Sequence, residues 1–147
     1  MVLKGKSMWN KDYIEEFIRR FEAGQLPKEE WTHEAHLVVG IVYVTRYEFD
    51  RALALARENI TAHNVAVGTI NSDSSGYHES ITRFWLEIIK RYLKARQYHS
   101  IEETVHLFLR SSAADKDLPM EFYSRERLFT TEARTNWVDP DKKAFEE

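Results

Sequence analysis

Apolar positions recur along this chain at spacings of three and four residues, in blocks separated by glycine, proline and small polar residues. That period is the mark of helices with one buried face. The first block, Tyr13, Phe17, Ile18 and Phe21, predicts a helix starting at Asn10, whose side chain can cap free amides. Trp9 and Ile14 flank that cap at the spacing of a hydrophobic staple, and Gly24 supplies a left-handed stop before Gln25-Leu26-Pro27. A second helix is expected from about Thr32 to Tyr47. Its middle, Leu37 to Val44, is apolar on nearly every face, which predicts a buried central helix. Gly40 inside it costs about 1 kcal/mol against alanine, so a close approach by a neighbour is expected there.

A third helix begins near Asp50, with Leu53, Ala56, Ile60 and Val67 inward and Gly68 as its stop. The polar run 69–76 reads as a loop. A fourth helix is expected from about Tyr77 to Arg96, with Ile81, Phe84, Trp85, Ile88, Ile89 and Tyr92 inward. Ser100 and Glu103 form a capping box for a fifth, continuing to about Ser112. Beyond Leu118-Pro119 the signals shorten. Ser124 and Thr130 or Thr131 can each cap a turn or two, and Trp137-Val138-Asp139-Pro140-Asp141 reads as extended. The fold class is therefore all-α: a single domain over residues 1–147, a bundle of about five helices with an irregular C-terminal segment.

Short connections make successive helices antiparallel. The second and fourth then point the same way. Their starts, the end of the third helix, the loop 69–76 and the C-terminal tail all gather at one end of the bundle. His33, His36, His63, Asn64, Asn71, Tyr77, His78 and Glu79 converge there.

Composition narrows the classes of function. The 147 residues make one domain's worth of chain, with a formal charge of -3 and no basic run, so nothing suggests nucleic acid as a partner. With no cysteine, disulfides and thiolate chemistry are excluded. Met1 to Asn10 lacks the apolar run of a signal peptide, no segment is long enough to span a membrane, and a cytoplasmic location is the default expectation. No glycine-rich phosphate loop appears, so no nucleotide cofactor is expected.

The polar groups at the convergent end admit several chemistries. His33 and His36 share one helical face, and His78 from the parallel helix can complete a three-histidine site for a divalent ion such as zinc, nickel, manganese or iron. Glu79 then serves as fourth ligand or as general base, with Tyr77 and His78 beside it as catalytic groups. Against a metal, both clusters sit at helix N-termini, whose partial positive charge favours an anion and keeps imidazoles neutral. Arg134, Ser124, Thr82 and Asn64 are the expected substrate-binding residues, Arg134 for the planar fork it offers a carboxylate or phosphate. Asn64 has a competing role in holding the loop 69–76. His78 likewise lies on the stripe of Ile81 and Trp85, where a buried imidazole can simply be held by protein groups.

Trp31-Thr32-His33-x-x-His36-Leu37, Asn64-x-x-x-Gly68, Gly76-Tyr77-His78-Glu79-Ser80-Ile81-Thr82, Tyr123-Ser124, Ala133-Arg134 and Trp137-Val138-x-Pro140-Asp141 run through most of the chain. Together they resemble a family of small, uncharacterised all-helical bacterial proteins, differing at Ser80, where threonine is expected. The resemblance implies that Ser124 and Arg134 belong to the same unit as the histidines, and it brings no activity with it. The expectation from the residues is a small-molecule enzyme, hydrolase- or lyase-like and metal-assisted, with a homodimer left open. The alternatives are a protein that binds a small anion without chemistry, or a structural polar cluster with no activity.

Overall fold

The computed structural model describes residues 9–146. The N-terminal stretch read above for a signal peptide therefore lies, up to Met8, outside the described residues. Five helices build the bundle: α1 (Lys11–Glu22), α2 (His33–Arg46), α3 (Phe49–Ala66), α4 (Glu79–Lys94) and α5 (Ile101–Leu109). Three short pieces follow, α6 (Pro119–Phe122), α7 (Arg125–Leu128) and α8 (Thr131–Thr135), so the all-helical class and the broken C-terminal segment are as expected. Among the described residues no helix is long and apolar enough to cross a membrane.

Local chemistry explains the boundaries. Asn10 accepts the Tyr13 amide at 2.8 Å to open α1, and Gly24 closes it with φ of 73°. Thr32 caps α2 by accepting from the Ala35 amide at 3.1 Å. At α5 the capping box closes one residue early: Ser100 accepts the Glu103 amide, while the Glu103 carboxylate accepts from His99 rather than Ser100. That helix ends at Leu109, three residues short of the expected Ser112, and a 3₁₀ turn over Ser112–Ala114 carries the chain on. Ser124 and Thr130 cap α7 and α8 through the amides of Arg127 and Ala133.

The start of α4 differs from expectation. Helical geometry begins at Glu79, not Tyr77, because His78 is the cap: its Nδ1 accepts the Ile81 amide at 3.1 Å. A ring nitrogen here takes the place of the usual hydroxyl or carboxylate oxygen.

α2 lies at the centre, with every residue from Leu37 to Tyr43 buried. A Cβ added at Gly40 would stand 2.8 Å from Ile89 Cδ1 and 3.4 Å from Leu86 Cδ2, so the missing side chain is what lets α4 come so close. The order of these pairs settles direction. His33 meets Trp85 and, further along both helices, Gly40 meets Ile89, so α2 and α4 run parallel. Trp31, before α2, packs on His63 near the end of α3, whereas Tyr43, late in α2, is reached by Asn59, as in an antiparallel pair.

A second, smaller core joins Phe84 to Phe122, Tyr123, Leu128, Ala133 and Val138. Ser80 ties the extended end to α4: its hydroxyl donates to the Asn136 carbonyl at 2.8 Å and accepts the Val138 amide at 3.1 Å. Tyr123 donates to the Val138 carbonyl at 2.6 Å. The tail is thus packed, extended and returned to the start of α4, as the antiparallel argument requires.

Candidate functional site

The polar end of the bundle is divided in two by the first turn of α4. One side is a closed network that locks the loop 69–76. Arg57, on α3, grips Glu79 with two bonds, Nε to Oε1 at 3.0 Å and Nη2 to Oε2 at 2.7 Å, and the Tyr77 hydroxyl donates to Oε1 at 2.7 Å. Burial pushes the Glu79 carboxyl up, but Arg57 and the Tyr77 hydroxyl outweigh it and hold the group below its ordinary value. Burial and the adjacent carboxylate raise the Tyr77 phenol, which therefore stays protonated. Asn71 accepts from the Asn64 side chain at 2.9 Å and from the Tyr77 amide at 3.0 Å, and donates to the Thr61 carbonyl at 3.1 Å. Asn64 therefore holds the loop, its competing role.

This arrangement engages several of the expected site residues with other protein groups. Both oxygens of Glu79 are held in a pair with an arginine. Tyr77 is a donor to that same carboxylate. Arg134 reaches this end as predicted, but Nη1 donates to the carbonyls of Gly76 at 2.9 Å and Tyr77 at 3.3 Å. Those carbonyls precede the helix and need donors, and they take the cation meant for an anion. Ser124 gives its hydroxyl to Asp141 at 2.6 Å and its lone pair to the Arg127 amide.

The expected three-histidine metal set is also not assembled. His78 Nε2 donates to the Leu128 carbonyl at 2.9 Å while Nδ1 accepts from Ile81, so neither nitrogen is left for an ion. Burial lowers the basicity of this imidazole, in keeping with a neutral ring fixed in one tautomer. Among the described residues no three histidines, aspartates or glutamates gather as ligands.

The other side is open. A cleft of about 490 Å³ lies between the start of α2, one face of α4, and the C-terminal pieces. His33 and His36 come from α2, and Ile81 and Trp85 from α4. Lys116, Asp117, Pro119 and Met120 form the approach to α6, and Arg125, Leu128 and Phe129 close the far wall. His78 stands behind that wall, holding Leu128 by its carbonyl and meeting the Phe129 ring edge-on at 6.4 Å between centroids. A volume of this size suits a small molecule.

Carbonyl partners set the tautomers of both cleft histidines, because a carbonyl oxygen only accepts. His36 Nδ1 lies 2.7 Å from the Thr32 carbonyl and must carry its hydrogen, leaving Nε2 as an acceptor. His33 Nε2 lies 2.9 Å from the Ala114 carbonyl, leaving Nδ1 as the acceptor. The His36 ring lies against Trp31 at a tilt of 31° with centroids 3.8 Å apart, and the His33 ring meets Trp85 edge-on at 5.1 Å. Desolvation by the surrounding protein lowers the His36 pKa to about 4, while the hydrogen bond to the Thr32 carbonyl opposes part of that shift. At neutral pH it is an uncharged hydrogen-bond acceptor.

Of the predicted site residues, the cleft thus keeps His33 and His36. Trp85 was expected only as core and Arg125 only as a surface charge, and Lys116, Asp117, Met120, Leu128 and Phe129 were given no role. They sit on short pieces with no periodicity, where sequence spacing says nothing about facing. Phe129, 51% exposed, is the one that composition could have flagged, as a large aromatic with no place in a core stripe.

The fold and this cleft define an all-helical bundle with an aromatic-walled recess of small-molecule size. Comparison of the chain with known family models, curated proteins and solved structures gives no match.

Proposed function

We propose that the protein binds a small anionic molecule in the cleft between α2, α4 and the C-terminal pieces. The observation that carries this reading is the lining itself: two cations, Lys116 and Arg125, against one carboxylate, Asp117, around apolar and aromatic walls. Arg125 lies over the Phe129 ring at 5.0 Å, which steadies a fork suited to a carboxylate or phosphate. His36 Nε2 adds an acceptor for a hydroxyl or amide proton of the same ligand.

The test is a thermal-shift and calorimetric panel of small carboxylates and phosphates at low salt. Stabilisation of the wild type, weakened in a Lys116→Ala/Arg125→Ala double variant and screened by salt, is the expected result. No stabilisation by any anion would overturn the reading.

Hydrolase- or lyase-like chemistry is a second reading, favoured by the bare ring nitrogens of His33 and His36. A base works best with a pKa near the working pH, and the lowered value of His36 suits it better to accept a hydrogen bond than a whole proton. For that reason binding ranks above catalysis. Turnover of small carboxylic esters that disappears in His36→Gln, with anion binding kept, would reverse the ranking.

A further inference from the structure

A narrow slot of about 60 Å³ opens between α2, α3 and α4 beside the cleft, and the two share His36, Ile81 and Trp85. Its inner walls are apolar, built from Gly40, Ala56, Ile60 and Leu86, with Thr82 as a polar side chain at its edge. The slot exists because α2 carries no side chain at Gly40: a Cβ there would press on Ile89 and Leu86. We infer that the slot takes a short unbranched aliphatic chain whose anionic end lies in the adjoining cleft with Lys116 and Arg125. This rests on the binding proposed above and names the class of ligand: a linear compound with a charged head and a chain of roughly four to six carbons.

The length follows from size. A water-sized group needs about 10–15 Å³ of such space, and a methylene is of similar bulk, so about 60 Å³ holds roughly four to six of them. The chemistry follows from the walls. Lined by apolar groups, the slot has little to offer water and favours hydrocarbon. The shared residues fix the order of the ligand's parts. His36 stands at the junction, so a polar group next to the chain meets its Nε2 acceptor, and Trp85 lines both slot and cleft. A bulky or branched chain does not fit, because the helices meet closely at Gly40.

The experiment is calorimetric titration of the full chain with linear monocarboxylates from acetate to decanoate, with hexanol and hexyl phosphate as controls. Affinity should rise about fourfold per methylene up to a limit between pentanoate and heptanoate, then level or fall. Hexanol should bind far more weakly, and hexyl phosphate binding comparably to hexanoate would place the specificity in the charge and the chain. Ala56→Leu fills the slot and should reduce hexanoate to the affinity of acetate while leaving acetate unchanged. Ile60→Phe serves the same purpose if the first variant fails to fold, as judged by its melting transition. Anion binding that depends on Lys116 and Arg125 but is flat with chain length overturns the slot and leaves the cleft standing. Hexanoate affinity unchanged by a folded slot-filling variant also overturns it. An absence of binding by every carboxylate and phosphate would instead sink the anion reading on which it rests.

Discussion

The imidazole of His78 bridges the first turn of α4 to the carbonyl of Leu128, fifty residues further along, with Nε2 donating at 2.9 Å and Nδ1 accepting the Ile81 amide at 3.1 Å. One neutral ring thereby caps a helix and fastens the cleft's far wall. It joins the local structure of α4 to the packing that shapes the site.

His78→Ala should therefore cost about 2–3 kcal/mol, from a lost cap of about 1 kcal/mol plus an unpaired buried carbonyl at Leu128. His78→Asn restores the cap without reaching Leu128 and should recover part of that loss. Urea denaturation measures the stability, and hydrogen exchange at the Ile81 amide reports the cap. Equal stability of both variants with the wild type would show that the bridge contributes nothing.

Arg57 and Glu79 make a pair whose carboxylate is the buried member, 11% exposed against 48% for the arginine side chain. Half of the pair faces water, so Arg57→Ala should cost about 1–2 kcal/mol rather than the larger loss of a fully buried pair. The pH dependence has a definite sign. The folded carboxyl lies below its ordinary 4.5, so its contribution is present above that pH and is lost as pH falls through the lower folded value. Acid unfolding of Glu79→Gln should accordingly lack part of the steep limb below about pH 4.5. Its anion response at neutral pH should match the wild type, since Glu79 faces away from the cleft.

Arg134→Ala should lower stability by about 1–2 kcal/mol by freeing the Gly76 and Tyr77 carbonyls, and leave stabilisation by carboxylates unchanged. Melts with and without ligand measure both at once. An anion response abolished in this variant would return Arg134 to the site.

His36 has a folded pKa lowered towards 4 from an ordinary 6.5, so the unfolded chain takes up the proton first as pH falls between those values. Stability should decline on acidification through that window, and His36→Gln should flatten the decline. Denaturant midpoints at a series of pH values between 4 and 7 read it directly. A wild-type curve no steeper than that of His36→Gln would mean the ring is as well solvated folded as unfolded.

The helices were legible in the sequence because their causes are local. Asn10, Thr32, Ser100, Ser124 and Thr130 cap by reaching amides three residues on, and the apolar run from Leu37 to Tyr43, set between helical neighbours, reads as a helix buried on every side. Antiparallel connection also brought the starts of α2 and α4, the loop 69–76 and the tail to one end. What the polar residues do at that end was settled by the tertiary structure. Arg134, Glu79 and His78 each had a free functional group in sequence, and each is satisfied by a partner on another element: carbonyls 58 and 57 residues away, an arginine 22 away, a carbonyl 50 away. The periodicity that places a side chain on a helix face carries no record of which distant donor or acceptor it will meet. Buried polar groups must be paired, so those long-range partners decide which side chains become structure. His33 and His36 line the cleft, and their carbonyl partners, Ala114 and Thr32, each engage one ring nitrogen.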